Sequence, residues 1–192
     1  MTTRIMRGTL RGAGLSLAAL MLAGGAAAET VKVGVVLPFS GGSADVAQSE
    51  LRAMKLYLKL QKAELGKHEI QLIERDSKEP SGATALALTR ELLTSDKVDM
   101  LVGYQYSPDA IASAPVATQG KKPMILVNAQ AAFITNLSPY IVRVSTSSWQ
   151  GAYPMARYAR EKMNCQNVVV GFTDFAPGRD VLAAFKLGTE KA

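Results

Sequence analysis

The sequence contains very little cysteine and histidine, with one of each among 192 residues. Cys165 has no second cysteine with which to form a disulfide, and zinc sites need several clustered cysteines and histidines. His68 and Cys165 lie on different predicted elements, so a cysteine nucleophile with a histidine base is not expected. We therefore expect no metal site, and we interpret Cys165 as a partly buried thiol without a catalytic role.

Nucleotide-binding and hydrolase motifs are also missing. Gly41-Gly42-Ser43 follows the first predicted strand, but neither G-x-G-x-x-G nor G-x-x-x-x-G-K-[ST] occurs, so no motif is present that would cradle a phosphate. No G-x-S-x-G nucleophile elbow occurs either. Asp76 and Glu79 could pair for acid–base catalysis, but a solvated turn is the preferred interpretation. The sequence therefore predicts no enzyme activity, no catalytic residue and no cofactor.

Long apolar runs and blocks of positive charge are missing from most of the chain. The formal net charge is +6, and half of it comes from Arg4, Arg7 and Arg11. These arginines precede the apolar run Leu15–Leu22 and the small residues Ala26–Ala28, an order typical of a cleaved secretory signal peptide. The apolar run is too short to cross a bilayer. The pattern predicts export to the periplasm, and the remaining scattered charge indicates no nucleic-acid partner.

The rest of the chain alternates regularly between strand-like and helix-like segments. Short β-branched and apolar segments are followed by segments whose apolar residues recur at helical spacing. Such an alternation predicts right-handed βαβ units, and hence an α/β fold with a parallel sheet flanked by helices. The predicted strands are Thr30–Leu37, Glu69–Arg75, Asp99–Val102, Met124–Val127, Ile141–Val144 and Val168–Phe172.

The stretch Asp99–Pro115 places a polar, aromatic loop between a strand and a helix. The strand is predicted to end sharply at Gly103. Ser107 is predicted to cap the following helix, and Pro108 suits the first helical position. The free N–H groups at such a helix start can hold a carboxylate. We therefore expect Tyr104–Ser107 to form half of a small-molecule binding cleft.

Three predicted strand-end loops are rich in small polar residues, namely Phe39–Asp45, Tyr104–Ser107 and Asn128–Ala132. In a parallel sheet these loops share one edge, where ligands of α/β proteins bind. A binding function therefore fits the sequence better than catalysis. Simpler roles stay open for some of these residues: packing for Tyr104, Tyr106 and Trp149, helix capping alone for Ser107, and a surface amide for Gln130.

Five segments, taken together and in this order, carry a family resemblance: Val31–Gly41, Leu101–Ser107, Pro123–Ala129, Ser138–Arg143 and Asp174–Asp180. With them the chain resembles the N-terminal half of a type I periplasmic solute-binding protein of ABC importers, and it is most similar to the leucine/isoleucine/valine-binding family. The resemblance covers the whole chain after the signal peptide.

This resemblance implies two α/β lobes that close on a ligand by a hinge motion. We expect a signal peptide at residues 1–28, the first lobe at 29–146 and the start of a second lobe at 147–192. The second lobe would be only begun, and the expectation is that the chain is a fragment or a truncated gene product.

The resemblance also implies which residues meet the ligand. Gln105, Tyr106 and Ser107 match the segment that meets a ligand carboxylate in the family, and a second backbone-rich segment matches residues 130–132. Val46 falls where some relatives have a tyrosine, and Pro177-Gly178 falls where many have Tyr-Gly. The implied ligand-binding set is Gln105, Tyr106, Ser107, Gln130, Ala131, Ala132, Trp149 and Phe175.

The implied partners are a small carboxylate-bearing solute and an inner-membrane ABC permease, with a monomeric protein at full length. The solute is either a branched-chain amino acid or an aromatic or other organic acid. The aromatic residues near the predicted cleft look like those of relatives that take aromatic acids. Two alternatives stay open: a ligand-sensing receptor ectodomain of the same fold, and a small secreted α/β enzyme.

Overall fold

The computed structural model describes residues 29–192. The predicted signal peptide lies outside these described residues and stays a prediction. Five β-strands are present: β1 (Thr30–Leu37), β2 (Glu69–Asp76), β3 (Met100–Gly103), β4 (Met124–Leu126) and β5 (Ile141–Arg143). The helices are α1 (Ala44–Leu60), α2 (Lys62–Leu65), α3 (Gly82–Thr94), α4 (Ser107–Gln119), α5 (Ser148–Glu161) and α6 (Ala176–Glu190), with a 3-10 helix at Ala132–Asn136.

The five strands form one parallel sheet in the order β2-β1-β3-β4-β5. This confirms the predicted fold class. The chain leaves β1 toward one edge to form β2 and then crosses back to build β3, β4 and β5 on the other side. The change of direction lies between β1 and β3, and a crevice forms outside the carboxyl ends of the strands at such a point.

Helices cover both faces of the sheet, which is why its strands are apolar rather than alternating. On one face, Val33, Val35 and Leu37 of β1 pack with Ala47 of α1. On the other face, the side chains of β3 and β4 pack with Leu92 of α3 and with the alanines of α4. Burial on both faces holds the sheet in place, and the sheet in turn positions the loops at the carboxyl ends of its strands.

Helices α5 and α6 pack against each other at the end of the described chain. The contact is close because Gly188 of α6 faces α5: a Cβ there would lie 2.7 Å from the Cβ of Ala156 and 2.6 Å from the carbonyl oxygen of Tyr153. Ala176, the first residue of α6, packs against the core formed by α3, α4 and β4. This contact brings α6 next to the carboxyl edge of the sheet.

The structure corrects three local predictions. Val168–Phe172 is not a strand. A strand needs a hydrogen-bonded neighbour, and within residues 29–192 no strand pairs with this segment, where Val169 is 97% exposed. Ser107 is the first residue of α4 rather than its cap, which is Tyr106. After the loop Phe39–Asp45 the sequence predicts one helix to about Leu65, because apolar residues recur there at helical spacing. The structure divides this helix at Gln61 into α1 and α2.

Across residues 29–192, the helices are too short or too polar for any of them to span a bilayer.

Candidate ligand-binding site

The three predicted loops meet at one edge of the sheet because the strands before them end in register. Val36 of β1 pairs with Gly103 of β3, and Gly103 pairs with Leu126 of β4. The loop after β1 and the loop after β3 then touch across the change of strand direction. The Tyr106 hydroxyl donates to the Ser43 Oγ at 2.7 Å.

The chain leaves β3 through two residues with left-handed backbone angles. Gly103 has φ +119°, and Tyr104 has φ +62°. A Cβ at Gly103 would overlap the carbonyl oxygen of Val36 and lie 3.0 Å from its carbonyl carbon, so only glycine fits there. The Tyr104 N–H donates to the same Val36 oxygen at 2.8 Å, which fixes the turn against β1.

This turn sends Tyr104 into the core and not into the cleft, contrary to its expected place in the binding loop. Its side chain is 1% exposed, and its hydroxyl lies 2.8 Å from the Thr89 Oγ1. The Thr89 Oγ1 is also hydrogen-bonded to the Ser113 Oγ at 3.0 Å, and this contact joins α3 and α4. Burial raises the pKa of the Tyr104 hydroxyl far above its usual value, although hydrogen bonds with the two other hydroxyls lower it. Tyr104 is therefore a packing residue.

A cavity of about 200 Å³ lies between the loops after β3 and β4 and the start of α6. It brings together five of the eight residues that the resemblance implied as ligand-binding: Gln105, Tyr106, Ser107, Gln130 and Phe175. Tyr106 and Phe175, which lie 69 residues apart in the chain, both provide aromatic surface. The complete lining is Gln105, Tyr106, Ser107, Asn128, Gln130, Phe175 and Pro177.

Two side chains that line the cavity carry buried polar atoms that can still form a hydrogen bond. The Ser107 Oγ accepts a hydrogen bond from the Ala131 N–H at 3.1 Å, so its own hydrogen remains for another acceptor. Gln105 is 9% exposed, and in the described part of the chain its Oε1 has no hydrogen-bond partner. Buried polar atoms are nearly always paired, so these two groups indicate a polar ligand.

The other three implied residues, Ala131, Ala132 and Trp149, do not line this cavity. They surround Asp180 of α6 instead. The Asp180 Oδ2 accepts from the Ala132 N–H at 2.7 Å, and the Oδ1 accepts from the Trp149 Nε1 at 2.6 Å. Ala131 contributes through its peptide group, whose N–H is held by Ser107.

Arg143 of β5 also hydrogen-bonds to the loop after β4. Its Nη2 donates to the carbonyl oxygen of Ala131. This carbonyl and the Ala132 N–H belong to the same peptide group, so the guanidinium polarises the N–H that faces Asp180. Burial lowers the pKa of Arg143, and the charge of Asp180 raises it. The Nε of Arg143 is buried without a partner among the described residues.

Asp76 and Glu79, the two residues considered as an acid–base pair, accept hydrogen bonds from the loop after β1. Asp76 accepts from the Ser40 Oγ at 2.7 Å and from its N–H at 3.2 Å. Glu79 accepts from the Gly42 N–H at 3.1 Å. Burial raises the pKa of Asp76, but hydrogen bonds from Ser40, Lys78 and Phe39 lower it overall. Both carboxylates therefore position the loop that carries Ser43.

Asp109 lies behind the ligand loop, in the first turn of α4. It is completely buried, and its Oδ1 accepts from the Ser81 N–H at 2.9 Å. Its Oδ2 has no partner in the described chain. Burial raises the pKa of Asp109 to about 6, although the hydrogen bond from Ser81 lowers it. The sequence placed this residue in the first helical turn but gave no sign that it is buried.

The residues that the sequence did not single out are Asp180, Arg143 and Asn128. Each lies in a segment noted for another reason: Asp180 and Arg143 end two of the family-like segments, and Asn128 opens the third loop. The contacts of Asp180 and Arg143 with the loop after β4 join residues 48 and 12 positions apart, and Asn128 is identified only as a residue that lines the cavity, so spacing alone could not find them. Within residues 29–192, no cluster of three or more His, Cys, Asp or Glu side chains is arranged to hold a metal ion.

Comparison with known proteins gives a consistent match. The family model described as periplasmic binding protein matches residues 30–192. The chain is 36% identical over 172 residues to the Leu/Ile/Val-binding protein homolog 6 of Brucella abortus, which covers 89% of this chain and 44% of that protein. This chain therefore spans less than half the length of that relative.

Two solved structures are similar over most of the described chain. The solute-binding protein of an ABC transporter from R. palustris, in complex with 4-hydroxybenzoate, has a TM-score of 0.79 and 32% identity, covering 85% of this chain and 44% of that one. A solute-binding protein from Rhodopseudomonas palustris BisB5, in complex with 3,4-dihydroxybenzoic acid, has a TM-score of 0.78 and 35% identity, covering 84% and 44%.

Proposed function

Because this chain belongs to the periplasmic binding protein family, as its sequence resemblance predicted, we propose that it is the substrate-binding component of an ABC importer. Its ligand is a small carboxylate-bearing solute held between two lobes. The observation that carries this proposal is the cavity at the carboxyl edge of the sheet, where the Gln105 Oε1 and the Ser107 hydroxyl hydrogen are buried and available.

The ligand carboxylate accepts a hydrogen bond from the Ser107 hydroxyl at the start of α4. Serine suits this task because its oxygen is already oriented by the Ala131 N–H, so that its hydrogen points elsewhere. First-turn N–H groups of a helix lack intrahelical partners, and the positive end of the helix dipole favours a negative charge. The Gln105 Oε1 accepts from a ligand hydroxyl or ammonium.

An aromatic acid is the preferred ligand. Tyr106 and Phe175 both line the cavity, and flat aromatic ligands pack well against such rings. The two solved structures described above, which are among those similar to this chain, contain 4-hydroxybenzoate and 3,4-dihydroxybenzoic acid. A ring hydroxyl of such a ligand would give the Gln105 Oε1 the donor that it lacks. Branched-chain amino acids are the second class, supported by the Leu/Ile/Val-binding relative.

The mechanism is binding and closure, without bond-making or bond-breaking. The first lobe (residues 29–146) holds the carboxylate, and the second lobe, beginning at residue 147, closes over it by a hinge motion. The closed protein, a monomer at full length, then docks on an inner-membrane permease. The signal peptide predicted for residues 1–28 supports a periplasmic location. Family members and similar structures are solute-binding proteins, which supports a role other than catalysis.

The experiment is a thermal-shift panel on the complete gene product. The panel contains benzoate, 4-hydroxybenzoate, 3,4-dihydroxybenzoate, isoleucine and, as a neutral control, benzamide. A ligand at about 100 times its Kd adds about 2.7 kcal/mol to the free energy of unfolding and raises Tm. We expect at least one carboxylate to raise Tm and benzamide not to. If no carboxylate raises Tm, or if benzamide raises Tm as much as any carboxylate does, the proposal is wrong.

The Ser107→Ala variant tests the binding residue itself. Loss of the hydroxyl should weaken carboxylate binding by about 1–2 kcal/mol, roughly five- to thirty-fold in Kd. The matched control is Ser113→Ala, which removes another buried hydroxyl of α4, one that contacts Thr89 in the core. Calorimetric titration should show weaker binding only for Ser107→Ala. Equal affinity in both variants would remove Ser107 from the site.

A further inference from the structure

Asp180 occupies a position in this structure that a ligand carboxylate could also take. Its two oxygens accept from two donors on separate elements, the Ala132 N–H at 2.7 Å and the Trp149 indole N–H at 2.6 Å. Ala132 belongs to the segment that, by resemblance, meets the ligand. Ala132 does not itself line the cavity, but it follows the lining residue Gln130 and Ala131, whose N–H donates to the lining residue Ser107. A carboxylate of the protein therefore already satisfies a backbone donor beside the place proposed for the carboxylate of the solute.

The donor that faces Asp180 is unusually favourable for an anion. Arg143 donates to the carbonyl oxygen of Ala131, and that carbonyl shares its peptide group with the Ala132 N–H. The positive charge lies on the far side of the peptide and strengthens the dipole that points at Asp180. Charge-assisted hydrogen bonds of this kind are stronger than neutral ones. The arrangement would stabilise any carboxylate placed there.

A second carboxylate near α6 shows what an ordinary surface position looks like. Asp174 precedes the helix, its side chain is 79% exposed, and it forms an ion pair with Arg179 at 2.7 Å. Asp180 instead accepts a hydrogen bond from Ala132 in the loop after β4, 48 residues away in the chain. The contrast separates a solvated ion pair from a carboxylate held by the loop and the indole.

We propose that Asp180 is an internal competitor for the ligand carboxylate: it holds the Ala132 N–H in this structure, and a bound solute displaces it. This inference rests on the proposed function, since it needs a carboxylate ligand. Asp180 is a residue that sets affinity and specificity, because two carboxylates cannot share one N–H group without repulsion.

Displacement of Asp180 also moves the helix that carries it. Phe175 and Pro177, which line the cavity, lie at the start of α6, and Asp180 follows within its first turns. When Asp180 leaves Ala132, its hydrogen bond to Trp149 is released or rearranged. Arrival of the ligand is thereby coupled to the position of α6, one of the elements that would begin the second lobe.

The first test compares Asp180→Asn with Asp174→Asn in the complete gene product, by calorimetric titration with 4-hydroxybenzoate. Asparagine has one oxygen where aspartate has two, so it cannot accept from both donors, and it has no charge. A competitor that occupies the site nine-tenths of the time weakens apparent affinity about tenfold. We expect Asp180→Asn to bind roughly tenfold more tightly than the unmodified protein and Asp174→Asn to bind within about twofold of it.

The second test uses the unmodified protein, so it does not depend on how a variant folds. The Trp149 indole N–H is observed by ¹H–¹⁵N NMR and assigned by its loss in Trp149→Phe. A short hydrogen bond to a carboxylate places this proton downfield. Saturating 4-hydroxybenzoate should move it upfield, and Asp180→Asn should move it upfield without ligand.

The outcomes separate the two proposals. If the unmodified protein binds 4-hydroxybenzoate but Asp180→Asn binds it equally or more weakly, the competitor role is overturned and the proposed function stands. An indole signal that stays in place at saturating ligand overturns the competitor role as well. If neither protein binds 4-hydroxybenzoate nor any other carboxylate of the panel, both proposals are overturned.

Discussion

Replacing Asp109 by asparagine should remove a decrease in the free energy of unfolding that occurs as the pH rises. Asp109 is completely buried in the first turn of α4, and its carboxylate receives one hydrogen bond, from the Ser81 N–H. Asparagine can accept the same hydrogen bond through its amide oxygen, and it has almost the same size. The substitution therefore removes the buried charge while keeping the contact between α3 and α4.

The magnitude follows from the pKa of this carboxyl. Burial raises it from 3.8 to about 6 in the folded protein. A folded-state pKa above the unfolded value means that the folded state binds the proton more tightly. The stabilisation due to that proton is fully present below about pH 4 and is lost as pH rises through about 6. The complete loss is about 3 kcal/mol, of which about 2 kcal/mol falls between pH 4.5 and pH 7.5.

The assay is urea unfolding of the complete gene product, followed by circular dichroism at pH 4.5 and pH 7.5. The quantity of interest is the free energy of unfolding of Asp109→Asn minus that of the unmodified protein. We expect this difference to be larger at pH 7.5 than at pH 4.5 by about 2 kcal/mol. Other titrating groups are common to both proteins and cancel from the comparison.

The matched control is Asp45→Asn, which removes an exposed carboxylate from the first turn of another helix, α1. Its loss changes the interaction with a helix dipole but not a buried charge, so its effect should stay within about 1 kcal/mol at both pH values. The reasoning is refuted if Asp109→Asn shows no more pH dependence than Asp45→Asn, or if its relative stability is greater at pH 4.5.

Two further predictions concern the turn after β3. Tyr104→Phe should lower the free energy of unfolding by about 1–2 kcal/mol, because the Thr89 Oγ1 loses one of its buried hydrogen-bond partners. Exposed Tyr158→Phe should change it little, and equal effects of the two variants in urea unfolding would contradict this prediction. Gly103→Ala should cost about 3 kcal/mol or more, because its Cβ would overlap the Val36 backbone at a left-handed φ. The control is Gly151→Ala, whose Cβ meets nothing within 4 Å, and a Gly103→Ala melting temperature like that of the control would disprove the overlap.

The alternation of strands and helices was predictable because it depends on residues close in the chain. Apolar, β-branched segments predicted all five strands of the sheet, and the helix-spaced segments between them predicted a parallel arrangement, which is confirmed. The meeting of the three loops followed from that topology alone, since parallel strands bring their carboxyl ends to one edge. Five residues proposed from the family resemblance line one cavity for this reason.

The failed local predictions have a common cause in missing tertiary information. Val168–Phe172 has the composition of a strand, but a strand forms only beside a partner, and composition says nothing of partners. Tyr104 lies next to three cavity residues in the sequence, yet the left-handed turn at Gly103 directs its ring into the core. Neither the partner nor the direction of the turn is encoded by residue spacing.

By itself, then, the sequence determined the fold class, the edge of the sheet where the loops gather, and the family to which the chain belongs. Only the tertiary structure decided which polar groups meet there. Asp180 reaches Ala132 across 48 residues, and Asp109 reaches Ser81 across 28. Such contacts depend on how whole helices pack, because hydrophobic burial sets the position of each helix and its polar side chains then pair with whatever that position brings near.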